Sequence, residues 1–147
     1  MRRRYSAFLQ ALIGGFALLL GGAAPANNFV GSGLVGIWRN AAHARDPNVM
    51  SLTEIRSDGS FTAEFRHYEN CTVSWTQRET GTWSVERNIY LVTTQKVDGK
   101  AVSFTHQYGL EAVTTRQYRA RDLSTAELLV ETRVDAFAFP RCFRGGV

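Results

Sequence analysis

The chain has 147 residues, with 17 Lys+Arg against 13 Asp+Glu, two cysteines and 44% hydrophobic content. That length holds one ordinary domain and leaves no room within it for a multi-domain enzyme. The composition is too apolar for a disordered chain and too poor in cysteine for a disulfide-dense mini-scaffold.

Residues 1–26 read as a secretory signal peptide. Arg2, Arg3 and Arg4 form a positive start, and Phe8 to Leu20 is apolar apart from Gln10 and two glycines. Ala24-Pro25-Ala26 places small residues where a signal peptidase cleaves, before Asn27. The apolar stretch is shorter than the roughly 18–20 residues of a membrane span, so no stable span is expected after cleavage. Retention as an uncleaved anchor is the alternative. The expected destination is periplasmic or secreted, and residues 27–33 read as a flexible linker before a domain over 34–147.

The leader carries three of the 17 basic residues, so the remainder has 14 against 13 acidic ones. The net charge of +4 therefore belongs largely to the leader, and no nucleic-acid partner is expected. Arg116, Arg119, Arg121, Arg133, Arg141 and Arg144 crowd the last third, interleaved with Glu127, Glu131 and Asp135. This pattern predicts a solvated strand surface of mixed charge. In an oxidising compartment, Cys71 and Cys142 have a single possible pairing. Such a bridge would contribute roughly 4 kcal/mol by loop-closure entropy. Two free thiols are the competing reading, but no C-x-x-C and no Cys–His pair at metal spacing is present, and no metal site is expected.

From Leu34 onward strand formers dominate, with 13 Thr and 12 Val against 7 Leu after residue 26. Turn signals at Ser57-Asp58-Gly59-Ser60, Glu86-Arg87-Asn88, Val97-Asp98-Gly99-Lys100 and Arg121-Asp122-Leu123-Ser124 divide the chain. They predict strands near 35–39, 49–56, 60–68, 71–85 (bent or bulged at Gly81), 88–96, 101–109, 113–121 and 126–134, with an extended piece over 137–143. Residues 43–48 are expected as loop. Eight to nine strands in meander order predict an all-β, up-and-down antiparallel barrel, because closure pairs the two edges that a meander leaves open.

Leu34-Val35-Gly36-Ile37-Trp38-Arg39 resembles the opening G-x-W of lipocalins. The segments Leu52 to Phe61, Gly81 to Leu91 and Tyr118 to Val130 resemble small exported bacterial lipocalin-like proteins. The likeness spans about residues 34–143. The lipocalin T-D-Y segment has no counterpart, the nearest stretch being Thr115-Arg116-Gln117-Tyr118. The resemblance implies structural roles for Gly36 and Trp38 at a closed barrel floor. It also implies an arginine over the indole, either Arg133 or Arg141, in a cation–π contact of roughly 0.5–2 kcal/mol. Ligand binding is a further implication of the family.

No nucleophile elbow, phosphate-binding glycine loop, H-E-x-x-H or EF-hand loop occurs. Strand alternation places Phe61, Ala63, Phe65 and His67 on one face, and Val102, Phe104, His106 and Tyr108 on another. Both faces are apolar and expected inward, with Trp75 from the neighbouring strand. The candidate ligand-binding residues are therefore His67, His106, Tyr108, Phe65, Phe104 and Trp75. They suit a small planar or amphipathic ligand, or in a bolder form haem with an axial histidine; no other cofactor is implied. His43 falls in a loop and carries no functional expectation. Two functional readings follow. One is a non-catalytic binding protein for a small, partly apolar molecule. The other is an interaction or inhibitor module with a solid core, an exposed arginine surface and an envelope protein as partner. Catalysis ranks below both, since nothing selects among Glu64, Glu69 and Glu111 as partner for a histidine.

Overall fold

Short turns with defined chemistry set the strand ends. In the computed structural model, which describes residues 31–41, 43 and 46–144, Arg87-Asn88 and Asp98-Gly99 both have positive φ at their two central positions. This is the turn geometry whose twist matches a hairpin. At Ser57–Ser60 the Asp58 carboxylate accepts bonds from the Ser60 amide at 2.8 Å and hydroxyl at 2.6 Å. Asp122 does the same for Ser124 and Thr125.

Between these turns lie β1 (Gly36–Asn40), β2 (Val49–Ile55), β3 (Ser60–Glu69), β4 (Thr72–Glu86), β5 (Ile89–Val97), β6 (Lys100–Val113), β7 (Gln117–Asp122) and β8 (Leu128–Val134). Each strand pairs antiparallel with its sequence neighbour, and β1 pairs with β8 through Trp38↔Arg133 and its flanking residues. The molecule is an all-β, closed, eight-stranded up-and-down barrel. The β4–β5 register shifts between Thr80 and Gly81, where β5 carries the extra residue Gln95, and a Cβ on Gly81 would lie 1.9 Å from the Thr93 carbonyl oxygen, so only glycine permits the pairing.

Four sequence expectations are corrected. Cys71 is not in a strand: Asn70 and Cys71 form the positive-φ turn joining β3 to β4. The break between β6 and β7 falls at Thr114–Arg116, where the Thr114 hydroxyl accepts from the Arg116 and Gln117 amides. No ninth strand forms over 137–143, because the β1–β8 seam leaves no edge to pair with. Finally, Gly31–Leu34 form a 3-10 helix, so residues 31–33 belong to the domain rather than to a linker. The expected signal peptide and the rest of that linker lie outside the described residues.

That 3-10 helix closes the barrel floor. Leu34 is fully buried, and its carbonyl accepts a 2.6 Å bond from the Trp38 indole. Around Trp38 pack Ile55, Tyr90, Leu110, Tyr118 and Ala120. Arg133 lies over the indole with its guanidinium carbon 4.2 Å from the ring centroid. It also donates to the Val35 carbonyl at 2.7 Å and the Gly33 carbonyl at 2.9 Å. Gly36, at φ 148°, is required here because a Cβ would come within 2.1 Å of the guanidinium. Arg141, the other candidate for this position, is exposed on the C-terminal segment.

That segment, residues 135–144, runs along the outside of the barrel. Phe139 sits under the Arg66 guanidinium at 4.1 Å, and the Tyr68 hydroxyl donates to the Pro140 carbonyl at 3.0 Å. The Tyr68 ring meets Phe143 edge-on, and Cys142 is bridged to Cys71. Among the described residues no helix is long and apolar enough to cross a membrane.

Replacing Arg133 with Met removes two charge-assisted bonds and the cation–π contact while keeping much of the volume. Urea unfolding is expected to show a loss of about 2–4 kcal/mol. Arg141→Met, at an exposed position, is expected to stay within about 0.5 kcal/mol of the parent.

Candidate functional site

Because β1 runs from floor to mouth and its neighbours alternate in direction, one inward row of side chains climbs each strand. Above the packed floor these rows enclose a cavity of about 510 Å³. Phe61, Ala63 and Phe65 of β3 form one apolar wall. Tyr90 and Val92 of β5, Tyr108 of β6, which is the register partner of Tyr90, and Tyr118 of β7 line it as well. Asn40, Ser51, Thr53 and Thr94 add neutral polar groups, and the loop Ser124–Leu128 borders the mouth.

Of the six candidate ligand-binding residues, three line this cavity: Phe65, His106 and Tyr108. The other three share the same strand faces but stand above the mouth, because β3, β4 and β6 extend past their neighbours. Trp75 is 41% exposed and stacks on His67 at 5.8 Å with the rings 6° from parallel. His67 bonds to the Ser74 hydroxyl and lies 3.4 Å from Asp46. Phe104, 40% exposed, meets His106 edge-on at 5.5 Å. The two histidines thus do not face one cavity; of the pair, His106 alone lines it. Among the described residues, no group of three His, Cys, Asp or Glu side chains is placed to hold a metal ion.

His43, given no role by its loop position, does line the cavity. Its Nε2 lies 3.1 Å from the Ser51 hydroxyl, and its ring lies 6.0 Å from Phe65. Burial lowers its pKa despite the opposing pull of Asp46 and Glu127. The imidazole is accordingly neutral at pH 7.

The largest departure from the sequence reading is electrostatic. The Arg/Glu alternation of the last third is not all solvated surface: Glu131 and Arg133 both point inward. Glu131 is 4% exposed, lines the cavity, and its Oε2 has no hydrogen-bond partner. Tyr118 stands directly opposite it in register. Burial raises the Glu131 pKa from 4.5 to about 8. Tyr90, Tyr108 and Tyr118 are all pushed upward by burial first and by the Glu131 charge in addition. The signal was present in the sequence, since the same period-2 alternation that sends Arg133 under Trp38 sends Glu131 inward one step higher.

Three further carboxylates line the cavity. Glu79 accepts from Gln77 at 2.8 Å and from Thr94 at 3.1 Å. Asp122 is pushed up by burial, but hydrogen bonds from Ser124 and Thr125 and the nearby His106 hold its pKa below the ordinary value. Its Oδ2 lies 3.9 Å from His106 Nδ1. Glu127, in the mouth loop, accepts from the Thr125 hydroxyl at 3.4 Å. Glu64, Glu69 and Glu111, the carboxylates considered from sequence, are not among the lining residues. Glu64 pairs with Arg66, and Glu111 pairs with Arg119 and Arg121.

No protein-family model matches this chain, and no curated protein matches it. The cavity itself is therefore the ground for a functional reading.

Glu131 also makes stability depend on pH in a definite direction. The folded state keeps this proton up to about pH 8, whereas the unfolded chain releases it near pH 4.5. Between those values the folded state binds more protons, so this group's contribution to stability falls as pH rises, by up to about 1.4 kcal/mol per unit. Glu131→Gln is expected to gain stability relative to the parent between pH 5 and pH 8 in denaturant titrations. Parallel curves for the two proteins would refute the assignment.

Proposed function

We propose that this chain is an exported, lipocalin-like, non-catalytic binding protein that holds a small, partly apolar molecule inside its barrel. The observation that carries this reading is the cavity of about 510 Å³ above the Trp38 floor. Its volume lies within the roughly 300–1,000 Å³ usual for small-ligand sites. Aromatic and aliphatic walls with a few convergent polar groups are the usual lining of such sites. The G-x-W opening and the arginine over the indole support the lipocalin-like part of the reading. The apolar stretch of residues 8–20 and the Cys71–Cys142 bridge support export. A solid-packed interaction module fits less well, since it needs a filled barrel.

The test is titration with a neutral solvatochromic dye, N-phenyl-1-naphthylamine, on the disulfide-bonded protein. Saturable one-to-one binding is expected, weakened at least ten-fold by Thr125→Trp at the mouth and unaffected by Arg116→Glu at the opposite end. Native mass spectrometry of protein purified from the compartment its leader selects should also show a mass that departs on denaturation. No saturable dye binding together with a ligand-free native mass would overturn the reading.

A further inference from the structure

The cavity is unusually one-sided in charge. Among the described residues Glu79, Asp122, Glu127 and Glu131 line it, and no lysine or arginine does. The guanidinium next along β8, Arg133, is held under Trp38 by the Val35 and Gly33 carbonyls and cannot turn upward without opening the floor. Of the two lining histidines, His43 is kept neutral by burial, and His106 stands at the mouth beside Asp122. Glu79 and Asp122 are each bonded by neighbouring side chains, as described above.

Glu131 differs from these. It is more than nine-tenths buried, it lines the inner end of the cavity, and Oε2 accepts no bond. A carboxyl group removed from water without a partner is strongly unfavourable, so such a group calls for an explanation beyond packing. A leucine at this position would avoid that penalty. Around it stand Tyr90, Tyr108 and Tyr118, with Tyr90 5.9 Å from Tyr108 and 6.2 Å from Tyr118 between ring centroids. Aromatic faces next to an acidic group form a favourable seat for an organic cation, which gains charge-assisted hydrogen bonding and cation–π attraction together.

Resting on the binding-protein reading above, we propose that the ligand is a small organic amine. Its protonated nitrogen is received by Glu131 within the three tyrosines, and its apolar body lies toward Phe61 and Phe65. A carboxylate or phosphate ligand would find no cationic side chain at the inner end among the described lining residues. The absence of a metal-binding cluster among the described residues points away from an inorganic cation at the same place.

The experiment is displacement of N-phenyl-1-naphthylamine from the full disulfide-bonded chain by matched ligands that differ only in charge. Tryptamine, indole-3-ethanol and indole-3-acetate form one set; phenethylamine, 2-phenylethanol and phenylacetate form the second. In the parent protein at least one amine is expected to bind ten-fold or more tighter than its alcohol, with the acid weakest. Glu131→Gln is expected to reduce the amine-to-alcohol ratio to within about three-fold while leaving the alcohol's affinity in place. Should that variant fail to fold, the selectivity of the parent alone decides. Alcohols equal to or better than their amines, or dye binding that neither amine displaces, would overturn the amine assignment while leaving the binding-protein reading intact. Loss of saturable dye binding in the parent would instead count against the binding-protein reading itself.

Discussion

The closed floor of the barrel depends on the contact between Trp38 and Arg133 at the β1–β8 seam. Trp38 on the first strand and Arg133 on the last are direct register partners. The guanidinium lies on the indole and also ties down the carbonyls of Gly33 and Val35. One residue therefore joins three things that are far apart in sequence: the 3-10 helix that seals the floor, the tryptophan that fills it, and the strand that completes the circle. An up-and-down sheet without this closure would expose two edges to pairing with other chains. The charge is tolerated in a half-buried place because two of its donors meet carbonyl groups and its flat face meets the ring.

The same strand carries the opposite case. Arg133 and Glu131 are two residues apart, share the inward face and are both ionisable. Arg133 is satisfied at the floor. Glu131 faces tyrosine rings with an oxygen left unbonded. Well-packed cores avoid such groups, and they concentrate where a protein meets a ligand. One step of β8 thus separates the packed floor around Trp38 from the cavity that Glu131 lines.

The disulfide acts on a different region. Residues 71 and 142 lie 71 positions apart in sequence, and their bridge anchors the C-terminal segment to the turn joining β3 and β4. Tyr68, Arg66 and Phe139 secure the same segment along the outer face. That hairpin rises past the mouth and carries the stacked pair His67 and Trp75. Its anchoring restricts the unfolded chain and steadies the tallest part of the rim.

The sequence by itself determined the all-β class, the positions of most strands, the meander order and an irregularity at Gly81. All of these follow from local causes: β-branched composition, turn residues with special dihedrals, and alternation with period 2. It also singled out Trp38, limited its cover to Arg133 or Arg141, and placed the histidines and aromatics on the correct strand faces. What alternation does not specify is height along the barrel axis. His67, Trp75 and Phe104 face the same way as Phe65, His106 and Tyr108, but unequal strand lengths leave the first three above the mouth. Only the register of eight strands decided which of them border the cavity. The burial of a Glu131 oxygen without a partner and the placing of His43 against Ser51 were likewise tertiary outcomes. Both depend on which strands meet when the barrel closes, and closure is set by pairing between the two ends of the domain rather than by any local segment.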